Sequence, residues 1–151
     1  MIKILMVCHG NICRSPMAEF VMKDMVKKAG LEREFIIESA ATSTEEIGNP
    51  VHWGTRERLG REGISCKGKT ARQMSKRDYA EYDYLLGMEK VNIRNMVRIC
   101  GGDPEGKILR LLDFTDRPRD IADPWYSGNF DATYNDVVEG CTALLAELLN
   151  R

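Results

Sequence analysis

The first six residues after the initiator constrain the fold more than any other segment. IKILMV, residues 2–7, is a near-continuous apolar run with one charge, the pattern of a strand buried on both faces. CHGNICRS, residues 8–15, follows it, and then comes a helical pattern over 16–29, with Met17, Val21, Met22, Met25 and Ala29 on one side. Pro16 suits the first turn of that helix and Gly30 its end. The same alternation continues. FIIESAA (35–41), DYLLGM (83–88) and KILRLLDF (107–114) read as strands, the last segment holding a fourth strand. Polar or amphipathic stretches over 53–62, 75–82 and 89–99 read as helices between them. A loop rich in Asp, Arg and Pro follows the fourth strand. Residues 131–149 form a strongly amphipathic helix, with Tyr134, Val137, Val138, Cys141, Leu144, Leu145 and Leu148 on one side. Strands alternating with helices predict an α/β fold, a parallel sheet covered on both faces. In such sheets ligands bind beyond the C-terminal strand edges, where CHGNICRS lies.

The 151 residues suit a single domain, 1–151, and 43% hydrophobic content supplies a core without metals or disulfides. Twenty-two basic and 23 acidic residues leave a net charge of −1, which gives no reason to expect nucleic acid or an anionic membrane as partner. No run approaches the ~20 apolar residues that span a bilayer, and no signal-peptide pattern stands at the N-terminus. Five scattered cysteines, Cys8, Cys13, Cys66, Cys100 and Cys141, make a poor disulfide framework. With no CxxC pair and two histidines, no metal site is expected. A cytoplasmic protein with reduced thiols is the simplest reading.

A strand, a tight loop and a helix N-terminus make an anion site from backbone N–H groups and the helix dipole. Gly10 allows a close turn, Asn11 tolerates left-handed geometry, and Arg14 offers a planar fork matching two phosphate oxygens. A thiol in this field ionises readily, which makes Cys8 a nucleophile beneath a phosphate cradle, with Ser15 able to donate to its sulfur. The loop lacks the GK[ST] of a nucleotide P-loop, and Gly10 is its only glycine, so a dinucleotide fingerprint also fails.

VCHGNICRSP closely resembles the active-site loop V-C-x-G-N-x-C-R-S-P of the low-molecular-weight protein tyrosine phosphatases. DPWY at 123–126 matches that family's Asp-Pro-x-Tyr loop. The resemblance covers the whole chain. It implies a four-stranded parallel sheet, order 2-1-3-4, with helices on both faces, and hydrolysis of phosphotyrosine or small aryl phosphates without metal or cofactor. Cys8 then attacks phosphorus, Arg14 and the loop amides hold the oxygens, and a cysteinyl-phosphate forms. Four aspartates crowd the late loop: Asp113, Asp116, Asp120 and Asp123. Composition cannot choose among them; the motif match selects Asp123 as the acid, held by Pro124. The resemblance further implies that Asn11 braces the loop, that Ser15 steadies the thiolate, and that Cys13 is a redox partner for Cys8. The substrate-binding set is His9, Gly10, Asn11, Ile12, Cys13, Ser15, Glu45, Trp125 and Tyr126. The partners are phosphotyrosine proteins or aryl phosphates, and the chain is expected to act as a monomer.

Three positions depart from the family pattern. His9 follows the nucleophile where apolar or small residues are commoner. Glu45 stands where a cleft wall is often aromatic, so one wall is expected to be acidic and open, with Trp125 and Tyr126 opposite. Lys69 replaces a histidine that supports the loop, which puts that support in question. Arsenate reductase, protein arginine phosphatase and a non-catalytic phosphate-binding module are the alternatives. The first needs a resolving cysteine pair, yet Cys66 and Cys100 lie far apart in sequence. The second is favoured by threonine where Ile12 stands. A mere binder needs neither nucleophile nor acid.

Overall fold

The computed structural model describes residues 1–150. Four parallel strands lie in the order β2-β1-β3-β4: β1 Ile2–Cys8, β2 Phe35–Ala41, β3 Tyr84–Gly87 and β4 Ile108–Arg110. The central β1 runs from Ile2 opposite Phe35 to Cys8 opposite Ala41, and pairs with β3 on its other edge. Ile4, Leu5, Met6 and Val7 are all fully buried, which is why the segment reads as continuous rather than alternating.

Successive side chains of β1 feed two cores. Ile4, Met6 and Cys8 pack with Met17, Val21 and Met22 of α1 (Arg14–Lys28) and with Val137, Cys141, Leu144 and Leu148 of α6 (Phe130–Leu149). Leu5 and Val7 face the other way, against Tyr79 of α3 (Arg77–Glu81) and Met96 and Cys100 of α4 (Lys90–Cys100). The remaining helices are α2 (Trp53–Arg61) and the short α5 (Pro124–Ser127). Each large side chain buried this way stabilises the fold by about 1.5–3 kcal/mol.

Three differences from the sequence reading bear on the site or its support. Helix α1 starts at Arg14, two residues before the expected residue 16, so Arg14 and Ser15 belong to the helix and Pro16 falls third. The last strand stops at Arg110, because Leu111–Phe114 winds into a 3₁₀ turn. Leu111 and Leu112 both join the core on the α1 and α6 side, whereas neighbours in a strand point to opposite faces. Asp113 Oδ2 accepts from Arg110 N at 2.9 Å and closes that turn. The Asp-Pro loop contains α5, whose N-cap is Asp123 and whose first residue is Pro124.

Candidate active site

The loop from Cys8 to Cys13 joins β1 to α1 at the C-terminal edge of the sheet. No side chain caps α1, whose N-cap is Cys13, so its first-turn N–H groups are available to an anion. Asn11 takes a left-handed conformation, φ 58°, and is the only non-glycine residue with positive φ among those described. That twist costs of order 1–3 kcal/mol and persists only where neighbours over-determine it. The neighbours are visible. Asn11 Oδ1 accepts from Arg72 N at 3.2 Å, while Nδ2 donates to Ser15 Oγ at 2.8 Å and Ser39 Oγ at 2.9 Å. Ser15 Oγ lies 3.0 Å from Cys8 Sγ, and Asn11 N donates to the same sulfur at 3.3 Å.

Arg14 is 2% exposed and held from several sides. Nη1 donates to Ile121 O at 2.8 Å and lies 3.2 Å from Glu89 Oε2; Nη2 meets Asp123 Oδ2 at 3.4 Å. Glu89 also forms the capping box of α4 with Asn92, so the carboxylate beside Arg14 is itself fixed to a helix end. Asp123 uses its other oxygen, Oδ1, to accept from Trp125 N at 3.0 Å. Asp113 pairs with Arg110, and Asp120 with Arg110 and Lys90 N, so both serve structure away from the pocket.

One cleft is lined by Cys8, His9, Gly10, Ile12, Cys13, Arg14, Glu45, Asp123, Trp125 and Tyr126, together with Glu46. Glu46 was missed from sequence; its only signal was adjacency to Glu45. Two residues of the expected binding set do not line the cleft. Asn11 and Ser15 are buried behind the loop, at 1% and 0% exposure, because their polar atoms are spent on each other, on Ser39 and on Cys8. Their hydrogen bonds hold the loop from behind.

The low molecular weight phosphotyrosine protein phosphatase family model matches residues 3–151. The chain belongs to that family. It is 43% identical over 150 residues to the low molecular weight protein-tyrosine-phosphatase YfkJ of Bacillus subtilis, covering 98% of this chain and 96% of the relative. The crystal structure of YfkJ superposes with a TM-score of 0.96, covering 99% of this chain and 96% of that one. A Drosophila melanogaster relative, low molecular weight phosphotyrosine protein phosphatase 1, is 34% identical across 99% of this chain and 98% of its own length. The expected sheet order and the expected protein tyrosine phosphatase, a phosphoric monoester hydrolase, both hold.

The phosphatase meets its three departures locally. His9 Nε2 pairs with Glu45 Oε2 at the mouth, so the two unusual residues engage each other. Glu45 and Glu46 form the acidic wall, with the exposed Trp125 and Tyr126 also at the cleft. Lys69 does support the loop: Nζ donates to Ser39 O at 2.8 Å and lies 3.3 Å from Glu19 Oε1. Glu19, 3% exposed, accepts from Ser39 Oγ at 2.5 Å and pairs with Lys23 at 2.6 Å. Burial lowers the Lys69 ammonium from its ordinary range, and Glu19 opposes that shift. The Cys13 thiol is pushed up to about 12, by burial first and then by Cys8 and Asp123.

Proposed function

We propose that the phosphatase hydrolyses phosphotyrosine through Cys8, Arg14 and Asp123, within a single domain spanning residues 1–151. The Cys8 thiolate attacks phosphorus in line, breaking the bond to the phenolic oxygen. Arg14 and the α1 N-terminus hold the equatorial oxygens, where charge is concentrated. Asp123 donates its proton to the departing phenolate, then takes one from the water that releases phosphate from the sulfur. The observation that carries this reading is the meeting of Asp123 with Arg14 across 109 positions of sequence, over the loop that holds Cys8.

Ile12, Trp125 and Tyr126 supply apolar surface for an aryl ring, which favours phosphotyrosine over phosphoarginine. Cys66 and Cys100 belong to cores on opposite faces of the sheet, which argues against a resolving pair for arsenate reduction. The chemistry calls on no metal or organic cofactor. Cytoplasmic residence, a monomeric state, redox sensitivity and the lack of nucleic-acid or membrane partners belong to the same reading. It is supported by five free cysteines, a near-zero net charge and helices too short or polar to cross a membrane among the described residues.

The test has two parts. Cys8→Ser is expected to abolish turnover of aryl phosphates while retaining phosphate or vanadate binding, because the cradle survives. Asp123→Ala is expected to lose roughly 10²–10⁴-fold on phenyl phosphate, the range for general acid catalysis, and less as the leaving phenol becomes more acidic. Substantial turnover by Cys8→Ser, or the leaving-group dependence appearing in Asp120→Ala instead, overturns the assignment.

A further inference from the structure

His52 stands outside the motifs, yet it touches both the Cys8–Cys13 loop and the segment that carries Asp123. Its backbone N donates to Ile12 O at 2.8 Å, which ties it to the catalytic loop. Its ring Nδ1 accepts from Gly54 N at 3.1 Å and caps α2. That bond assigns the hydrogen to Nε2 and leaves Nδ1 as the acceptor. The faces and edge of the ring are also occupied. Phe130 stacks on it, centroids 5.5 Å apart and 10° from parallel; Trp125 meets it edge-on at 5.5 Å; Trp53 lies at 5.9 Å.

These contacts join two segments that chemistry needs together. Trp125 is two residues from Asp123, and its amide is held by the Asp123 carboxylate at 3.0 Å. Phe130 opens α6, and three residues on Thr133 Oγ1 donates to Ala122 O at 3.0 Å, on the acid's other flank. On the opposite side, Thr55 Oγ1 donates to Cys13 O at 3.4 Å and adds a second tie from α2 to the catalytic loop. Gly54 makes room for the stack: a Cβ there would lie 2.3 Å from the Phe130 ring. Trp125 is 58% exposed, and the His52 ring is the aromatic contact it makes.

We propose that His52 is a positioning residue whose ring clasps Trp125 and Phe130 and thereby holds Asp123 over the leaving oxygen. The proposal rests on Asp123 being the acid. Ring contacts of this kind have a preferred geometry, and small misplacements of a catalytic group are costly in rate. The clasp acts on proton delivery, not on phosphate binding, so its loss has a kinetic signature that general destabilisation lacks.

Two substitutions separate the ring from the cap. His52→Asn keeps an acceptor at the N-cap and removes the ring; His52→Phe keeps a ring and removes the acceptor. For each, kcat is measured over a series of aryl phosphates of graded leaving-group acidity, with the inhibition constant for inorganic phosphate. His52→Asn is expected to lose about tenfold on phenyl phosphate and under about twofold on the most acidic phenols. His52→Phe is expected to keep the wild-type slope, and phosphate inhibition is expected to be unchanged in both. A wild-type slope in His52→Asn, an equal loss on all leaving groups, or a steepened slope in His52→Phe alone overturns the proposal. Should His52→Asn not fold, Phe130→Leu decides on the same slope, a wild-type value counting against the clasp. Asp123→Ala is run alongside: if it leaves the slope unaltered, the acid assignment fails, whereas a steep Asp123→Ala beside a flat His52→Asn removes the clasp alone.

Discussion

Glu19 and the Arg72 amide together set the direction of the hydrogen bonds that lead to the Cys8 sulfur. A carboxylate only accepts, so the Ser39 hydroxyl donates to it, leaving Ser39 Oγ to accept from Asn11 Nδ2. The Arg72 N–H fixes the Asn11 amide the same way round, and its second Nδ2 hydrogen goes to Ser15 Oγ. The Ser15 hydrogen is then free to point at Cys8 Sγ, where it stabilises a thiolate. Glu19→Gln breaks this order and removes the charged partner of the half-buried Lys69 ammonium. The expected cost is about 3 kcal/mol, read from the denaturation midpoint, the low end for a broken buried pair because Lys69 keeps some solvent. Iodoacetate is also expected to alkylate Cys8 more slowly; an unchanged rate would remove Glu19 from the relay. None of this was legible in MAEF, where Glu19 reads as an ordinary helix-face residue. Asn11, Arg14 and Cys8 were legible because their backbone and charge requirements are written into one short loop. Cys13 makes a second case at this scale. Its thiol, raised to about 12, is protonated at neutral pH, and part of the rise comes from the Cys8 charge. Oxidation of Cys8 to a neutral sulfenic acid removes that part. The thiolate attack of Cys13 that closes the bridge and expels water is therefore expected to accelerate with pH, by up to about tenfold per unit below the thiol's pKa. Mass spectrometry after a peroxide pulse at pH 6, 7 and 8 measures it. A pH-independent rate, or thiol-reversible recovery unchanged in Cys13→Ala, contradicts the redox role.

At the scale of elements, the fully buried strands were the most legible parts, because a strand covered on both faces has no other pattern available. The face of α6 was legible for the same reason: Val137, Cys141, Leu144 and Leu148 recur at helical spacing and all are buried. Short elements were not. Four residues of α5 carry no periodicity, and what makes them a helix is the Asp123 cap and the Pro124 ring. The 3₁₀ turn at Leu111–Phe114 looked like more strand because its apolar residues answer to α6, an element a sequence window does not contain. Gly140 marks where the two meet. A Cβ at Gly140 would lie 2.6 Å from Leu111 Cγ, and Leu111 is fully buried with no room to withdraw. Alanine gains up to about 1 kcal/mol of helix propensity over glycine, while overpacking costs about 1–3 kcal/mol. Overpacking is expected to win, so Gly140→Ala lowers the denaturation midpoint while kcat/KM of the folded enzyme stays near wild type. A raised midpoint would mean that the α6 contact is looser than its geometry.

Over the whole molecule, the net charge of −1 says little about which phosphotyrosines are chosen, because the selective charge is local. The cleft is assembled from residues 8–14, 45–46 and 123–126, three segments that share no sequence neighbourhood. The sequence showed the parts in the motif, and the Glu45 wall by alignment, but not that Glu46 joins it or that His9 engages Glu45. This wall borders the cleft that holds Cys8, where residues flanking a phosphotyrosine would pass. Exposed carboxylates act weakly, about 0.2–1 kcal/mol for each charge pair, so two of them give a preference of several-fold rather than a strict filter. Peptides with Lys or Arg beside phosphotyrosine are therefore expected to show kcat/KM about 3–10-fold above matched Asp or Glu peptides at low salt. The ratio is expected to shrink as ionic strength rises from about 0.01 M to 1 M, where screening shortens from about 30 Å to 3 Å. In Glu45→Gln/Glu46→Gln it is expected to fall toward one, each peptide being normalised to phenyl phosphate so that any change in the chemical step cancels. His9→Ala is expected to raise the ratio, since it frees Glu45 from its internal partner. A ratio insensitive to both salt and the double substitution assigns selection to the aromatic side, Trp125 and Tyr126, and leaves the acidic wall a solvated edge.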